Sequence, residues 1–245
     1  FFHLGNPLNA PYALTNLGTS WLSREIILAT IFTAGGAVFA FMQWRKISTS
    51  PVRNTVGLVV AAIGLLLVYA MSRVYMLPTV PAWNSLATPV TFFVTALLLG
   101  ALAIGSAFVV TYQYLRSKND LSDATVQFDI LSTTLRWIVL ISLILLGVQF
   151  VVIPLYLASL AEQASAAALT SIGLILDQGG TLFTLRLVLL FIGEGIFSIF
   201  MYLNASSETK THITGYLAYS AFAMVLISEI LGRFLFYESM MRIGL

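Results

Sequence analysis

Six long apolar stretches dominate this sequence, at about residues 22–44, 55–76, 89–115, 136–158, 181–203 and 212–236. A lipid core about 30 Å thick requires roughly 20 mostly apolar residues per helix, and each stretch is long enough. Helix is the predicted state, because a lone strand would leave backbone groups without partners in lipid. The sequence therefore predicts an all-α, polytopic transmembrane helix bundle with about six spans, forming one transmembrane domain over residues 1–245.

The composition excludes a soluble enzyme. Hydrophobic residues make up 59% of the chain and charged residues only 9%, whereas a soluble domain carries about 25% charged residues. The net charge of +2 comes without a basic stripe, so a nucleic-acid partner is not expected. With no cysteine, the chain itself can hold neither a thiolate zinc site nor an iron–sulfur cluster. Electron transfer would need a redox group from a partner or a ligand.

Lys and Arg are concentrated in alternate connecting segments. The segments 45–54, 116–135 and 204–211 together contain Arg45, Lys46, Arg53, Arg116, Lys118 and Lys210. The remaining segments, 1–21, 77–88, 159–180 and 237–245, contain only Arg242. Because basic loops stay in the cytoplasm, we expect the first set to face inward across the inner (plasma) membrane. The segment 158–180 is expected to contain a short surface helix.

Ionisable residues gather at the span ends that this topology places outside: His3, Arg24, Glu25, Arg73, Arg186, Glu229 and Arg233. One interpretation is that their side chains snorkel to the membrane surface and that Glu229 and Arg233, spaced i, i+4, form a structural ion pair. The other is that His3, Glu25 and Arg73 line a polar pocket. A hydroquinone requires such a pocket, since it loses two protons with its two electrons.

Haem is not expected in this chain. Its two histidines, His3 and His212, fall on opposite predicted faces and cannot share one iron, and the same shortage disfavours a metal site. Glu194 lies in mid-span between two glycines, which allow close helix approach, so we expect it to face the bundle. A structural carboxyl and a proton-path role both remain open for it.

Several motifs resemble the dimethyl sulfoxide reductase anchor family (DmsC-type). They are HLGNP at 3–7, NLGTSWLSREI at 16–26, RVY at 73–75, TVPAW at 79–83 and EILGR at 229–233. The resemblance covers the whole chain in order. It implies an eight-helix subunit, of which this chain would lack the first helix and most of the second.

The resemblance also implies a function. The family is a haem-free membrane anchor that oxidises menaquinol near the outer face and passes electrons to an iron–sulfur subunit, which is joined to a molybdopterin catalytic subunit. The family's functional His and Glu correspond to His3 and Glu25, whereas Asn9 stands where the family has an arginine. Arg73, Tyr75 and Trp83 are then expected to shape the quinol-binding pocket. The terminal substrate would be reduced on another subunit.

Other functions remain open at this point. A quinone-binding anchor of a polysulfide or tetrathionate reductase would share most of these features. A small-solute transporter would place ionisable groups near the membrane midplane, which only Glu194 does. A structural anchor without quinone is the third alternative.

Overall fold

The computed structural model describes residues 16–117, 121–163, 165–204 and 211–244. Six helices in these ranges are long and apolar enough to cross a membrane, and no strand occurs in them. The chain divides into two compact units, Phe1–Pro78 and Thr79–Leu245. The predicted α-helical fold class is therefore confirmed.

Unit 1 contains helices α1 (Trp21–Arg45) and α2 (Ser50–Tyr75), which pack against each other. Ser20 caps α1 by accepting a hydrogen bond from the Ser23 amide. The helix ends where Lys46 adopts a left-handed conformation with φ of 52°. The short turn that follows makes the two helices antiparallel neighbours, so the start of α1 and the end of α2 lie at the same end of the unit.

Unit 2 contains the other four spans. They are α3 (Ala87–Ser117), α4 (Leu121–Glu162), the combined helix Gly180–Leu203, and α8 (Thr211–Glu238). The combined helix consists of α6 (Gly180–Leu190), a π-helical segment (Phe191–Ile196) and α7 (Phe197–Asn204). A short helix α5 (Ala166–Gly173) runs into a π-helical turn (Leu174–Gln178), which confirms the predicted short helix between the fourth and fifth spans.

Two buried apolar clusters lie in the core of the described part of unit 2. Leu98, Leu102, Leu146, Leu190 and Val225 form one cluster, drawn from all four spans. Val109, Tyr112, Leu131, Leu135, Val139, Met201 and Ala218 form the other, nearer the opposite end of α3. Because each cluster takes side chains from every span, these four helices form one bundle.

Helix α4 begins well before the apolar stretch predicted at 136–158. The residues from Leu121 onward to that stretch contain neither proline nor glycine, so nothing in their backbone chemistry interrupts a helix. Hydropathy marks where a lipid-facing stretch ends, whereas a helix continues until a breaker or a cap stops it. The connecting segment 116–135 is therefore largely helical.

Candidate functional site

An aromatic and basic cluster lies where α1 begins and α2 ends. The Trp21 ring stands edge-on to Tyr69, with the ring centroids 5.6 Å apart. Two guanidinium groups lie against the same indole, Arg24 at 4.4 Å and Arg73 at 5.2 Å from its centroid. Arg24 also donates hydrogen bonds to the carbonyls of Leu17 and Gly18. The indole thus joins the two helices through an edge-to-face ring contact and a cation–π contact.

Glu25 and Arg73 are brought to this cluster from different helices. Glu25 follows Trp21 by one helical turn, so its side chain leaves α1 on the side that carries the indole, and it is half-buried. The Arg73 Nη1 atom lies 3.7 Å from the Met76 sulfur, and its buried Nε atom makes no hydrogen bond within the described part of the chain. Arg73 therefore brings a spare guanidinium donor to the Trp21 ring, and the Glu25 carboxyl group lies one turn after that ring on α1.

Tyr75, His3 and Asn9 are the other residues of unit 1 that the sequence linked to a quinol site. Tyr75 is half-buried as the last residue of α2. His3 and Asn9 lie outside the described residues, so the predicted pairing of His3 with Glu25 stays a prediction.

Trp83, which lies in unit 2, is held by α8. Its indole nitrogen donates a 2.7 Å hydrogen bond to the Phe236 carbonyl, and its ring stacks on Phe236 with centroids 5.2 Å apart. The side chain is only 7% exposed. These contacts show a packing role, and the predicted quinol contact stays a prediction.

A pocket of about 80 Å³ lies inside unit 2, among α3, α4, α6 and α8. Glu229 lines it and is only 4% exposed. Both of its carboxyl oxygens accept hydrogen bonds, from Thr95 Oγ1 at 2.6 Å and from Gln149 Nε2 at 2.9 Å. Arg233 lines the same pocket, with its guanidinium 3.6 Å from the Phe92 ring centroid.

Arg186 enters the pocket from α6 and packs against α8. A methyl group built on Gly232 would come within 2.6 Å of the Arg186 Nε atom, so the glycine makes room for the guanidinium. That Nε atom is buried and has no hydrogen-bond partner among the described residues. Snorkelling to the membrane surface, one interpretation of this arginine, does not describe an Nε atom packed against another helix.

Glu194 lies fully buried in the π-helical segment, as predicted for a bundle-facing residue. Ser198 Oγ donates a 3.3 Å hydrogen bond to one of its carboxyl oxygens, and the other oxygen has no partner in the described ranges. Gly193 allows the close approach expected of it, since an added methyl group would lie 2.9 Å from Met224 Cβ on α8. Segments of π-helix inside α-helices often occur at functional sites.

Sequence reasoning missed the partners of these charges. Nothing in the sequence pattern marked Trp21, Thr95 or Gln149 as partners of these charges, because each contacts a helix that is distant in sequence. Gly232 could have been noticed as a small residue between Glu229 and Arg233. Within the described ranges, no three His, Asp or Glu side chains converge to hold a metal ion.

Comparison with known proteins identifies the family. A family model described as "DMSO reductase anchor subunit (DmsC)" matches residues 1–238. "Anaerobic dimethyl sulfoxide reductase chain YnfH" of Escherichia coli is 30% identical over 253 residues, covering 99% of this chain and 76% of that protein. The C subunit of the anaerobic dimethyl sulfoxide reductase of the same organism is 31% identical over 250 residues, with the same coverage.

The corresponding C subunit from Haemophilus influenzae is 34% identical over a shorter match of 109 residues, which covers 44% of this chain and 38% of that protein. No solved structure matches. Six helices of this chain are long and apolar enough to cross a membrane. This agrees with the match to the family model and with the two similarities that cover nearly all of the chain. This multi-pass membrane protein belongs to the family of DMSO reductase anchor subunits (DmsC).

Proposed function

We propose that this protein oxidises menaquinol near the outer face of the inner membrane, for a complex of the dimethyl sulfoxide reductase type. Family membership makes it a membrane anchor of such a complex. The observation that supports a quinol site in unit 1 is the packing of Arg73 from α2 over Trp21 of α1, with the half-buried Glu25 one helical turn after Trp21.

The residues of this cluster suit a hydroquinone. The exposed ring of Tyr69 beside Trp21 offers flat apolar surface to its ring system. The buried Arg73 Nε atom, without an acceptor in the described residues, can donate to a quinol oxygen. Glu25 can accept a proton from a quinol hydroxyl group, and His3 is proposed as its counterpart for the other proton.

In the proposed reaction, the protons and the electrons of the quinol leave by different routes. The quinol loses two protons, which Glu25 and His3 accept and release to the outer side, and two electrons, which pass to an iron–sulfur subunit. Because this chain has no cysteine, the cluster belongs to the partner, which must dock on the same membrane face. We further propose that the anchor carries no haem and that a molybdopterin subunit reduces the terminal substrate.

Replacing Glu25 with Gln tests the site. The amide keeps the size of the side chain but cannot accept a proton, so we expect the complex to assemble and quinol oxidation to fall. Positioned proton transfer is typically worth about 10²–10⁴-fold in rate. The same preparation should reduce substrate at the original rate with a soluble artificial electron donor, which bypasses the membrane subunit.

Glu238→Gln is the matched control, because Glu238 is an exposed carboxyl at the end of α8 and the variant should oxidise quinol normally. His3→Ala should behave like Glu25→Gln. If Glu25→Gln assembles and oxidises quinol at the wild-type rate, Glu25 has no catalytic role. Reduced assembly with unchanged turnover per complex would instead identify a structural carboxyl.

A further inference from the structure

The pocket of unit 2 has the lining of a small-molecule site. Most of its wall is apolar, and Phe183 and Phe236 contribute aromatic rings to it. Pockets of this kind, with a few convergent polar groups, are where proteins bind small ligands. The volume of about 80 Å³ has room for roughly five water molecules, which is the space that one substituted aromatic ring requires. The size and the wall therefore fit a compact aromatic group.

Arg186 and Glu229 remain able to bind a ligand in this pocket. The hydroxyl groups of the lining already donate to partners inside unit 2, from Thr88, Thr91, Thr95, Tyr156 and Ser239. The buried Arg186 Nε atom, in contrast, is a donor without a hydrogen-bond partner among the described residues. Each Glu229 carboxyl oxygen accepts one hydrogen bond and can accept a second. The pocket thus offers a donor and an acceptor.

A neutral hydroxyl group on an aromatic ring suits these two side chains. Arg186 and Glu229 carry opposite charges, and Glu229 acts electrostatically on the Arg186 guanidinium, so a neutral ligand leaves this pair balanced. An acyl chain would fill the apolar wall but would leave the Arg186 Nε atom buried without an acceptor, which costs free energy. Water alone would lie against a mostly apolar wall, where it finds few of the partners that a buried water needs. A ring hydroxyl group both accepts and donates.

The depth of the pocket suits a ligand that comes from the membrane. Helix α8 has 28 residues and is about 42 Å long, about 12 Å more than the lipid core. Gly232, against which the Arg186 guanidinium packs, lies six residues before the end of α8, close to the boundary between lipid tails and headgroups. Arg186 and Leu157 are only half-buried, so the pocket is not sealed. A lipid-soluble molecule with a polar head can therefore reach it.

We propose that this pocket is a second quinol-binding site, formed by residues other than those around Trp21. One ring hydroxyl group of the quinol accepts a hydrogen bond from Arg186 and donates one to Glu229, while the ring packs against the apolar wall. The complex then binds two quinols, one in each unit of this chain. The choice of ligand rests on the proposed function, because an anchor that oxidises quinol works in a membrane that contains it. The site itself uses no residue of unit 1.

Photolabelling of the purified complex after removal of lipid tests the second site. The probe is a naphthoquinol with a diazirine on a short alkyl tail, and labelled peptides are identified by mass spectrometry. We expect labels within residues 1–78 and also within residues 79–245, on peptides that line the pocket. Unlabelled naphthoquinol in excess should suppress both. The same diazirine on an alkyl chain without a ring should not label the pocket above background.

Two pocket variants and a matched control identify the binding residues. Thr91→Phe places a ring inside the pocket and should remove most of the label from unit 2, while the label on unit 1 persists. Arg186→Gln should weaken binding there on the order of tenfold, because the ring hydroxyl group loses its charged donor. Thr111→Phe should change neither label, since Thr111 is an exposed residue of the same helix that also donates to a backbone carbonyl.

The pattern of labels separates this site from the one proposed in unit 1. No label in unit 2, equal label from the chain without a ring, or label that survives in the pocket variants would overturn the second site and leave the first intact. Label confined to unit 2 would support the pocket and remove the quinol site from unit 1. If Thr91→Phe does not assemble, the affinity of Arg186→Gln decides, and wild-type affinity in that variant would overturn the proposed contact.

Discussion

Trp83 joins a loop of unit 2 to the end of α8 through three kinds of contact. Its ring stacks on Phe236, its indole nitrogen donates to the Phe236 carbonyl, and Tyr237 meets it edge-on at 6.3 Å. Its own carbonyl accepts a 2.7 Å hydrogen bond from Thr88. A tryptophan in this sequence context was expected to contact quinol, and the structure shows a side chain whose donor already has an acceptor.

Replacing Trp83 with Phe should separate the two roles. The smaller ring leaves a cavity and loses the 2.7 Å hydrogen bond, so we expect a loss of about 1–3 kcal/mol in the free energy of unfolding of the assembled complex. Trp44→Phe, at a side chain that is 77% exposed, should leave stability unchanged. Unchanged stability of Trp83→Phe with a lower rate of quinol oxidation would favour the quinol contact instead.

At the scale of the helices, glycines set how closely neighbours approach. In unit 1, Phe32 and Phe39 of α1 fill the positions above Gly64 and Gly57 of α2, and an added methyl group would lie 2.8 Å from either ring. In unit 2, Gly193 lets the π-helical segment lie directly against α8. Small residues have this role in membrane bundles because packing replaces the hydrophobic effect between helices in lipid.

Gly193→Ala should destabilise unit 2. The new methyl group would lie 2.9 Å from Met224 Cβ and 3.3 Å from the Ala221 carbonyl, and neither atom can move without shifting α8. We expect a cost of about 1–3 kcal/mol, measured as a lower unfolding temperature of the purified complex. Gly100→Ala is the control, since nothing lies within 4 Å of the added atom. Equal stability of the two variants would contradict the close contact.

At the scale of the whole molecule, the charge asymmetry of the loops predicts the orientation. The sequence has no cysteine, so a single introduced cysteine can be labelled without background. Asn84→Cys, in an exposed loop before α3, should react with an impermeant maleimide added to spheroplasts. Ser48→Cys, in the exposed turn between α1 and α2, should react only after the membrane is opened. The reverse pattern would overturn the orientation and place the proposed quinol site inside.

The sequence by itself determined the fold class and the number of spans. Lipid demands about 20 apolar residues per crossing and hydrogen bonds closed within each segment, so composition along the chain is enough to place six helices. The family followed from motifs that extend over the whole chain. The start of α4 was not predictable this way, because residues before 136 are helical without being strongly apolar.

Only the tertiary structure decided which charges meet. Glu229 and Arg233 line the same pocket, and the ion pair predicted from their spacing stays a prediction. The hydrogen-bond partners of the Glu229 carboxyl group, Thr95 and Gln149, lie 134 and 80 residues away. The Arg186 guanidinium packs against α8 because Gly232 has no side chain there to exclude it. Sequence spacing determines neighbours within one helix, whereas the facing side and the axial level of two helices are set by how their surfaces pack.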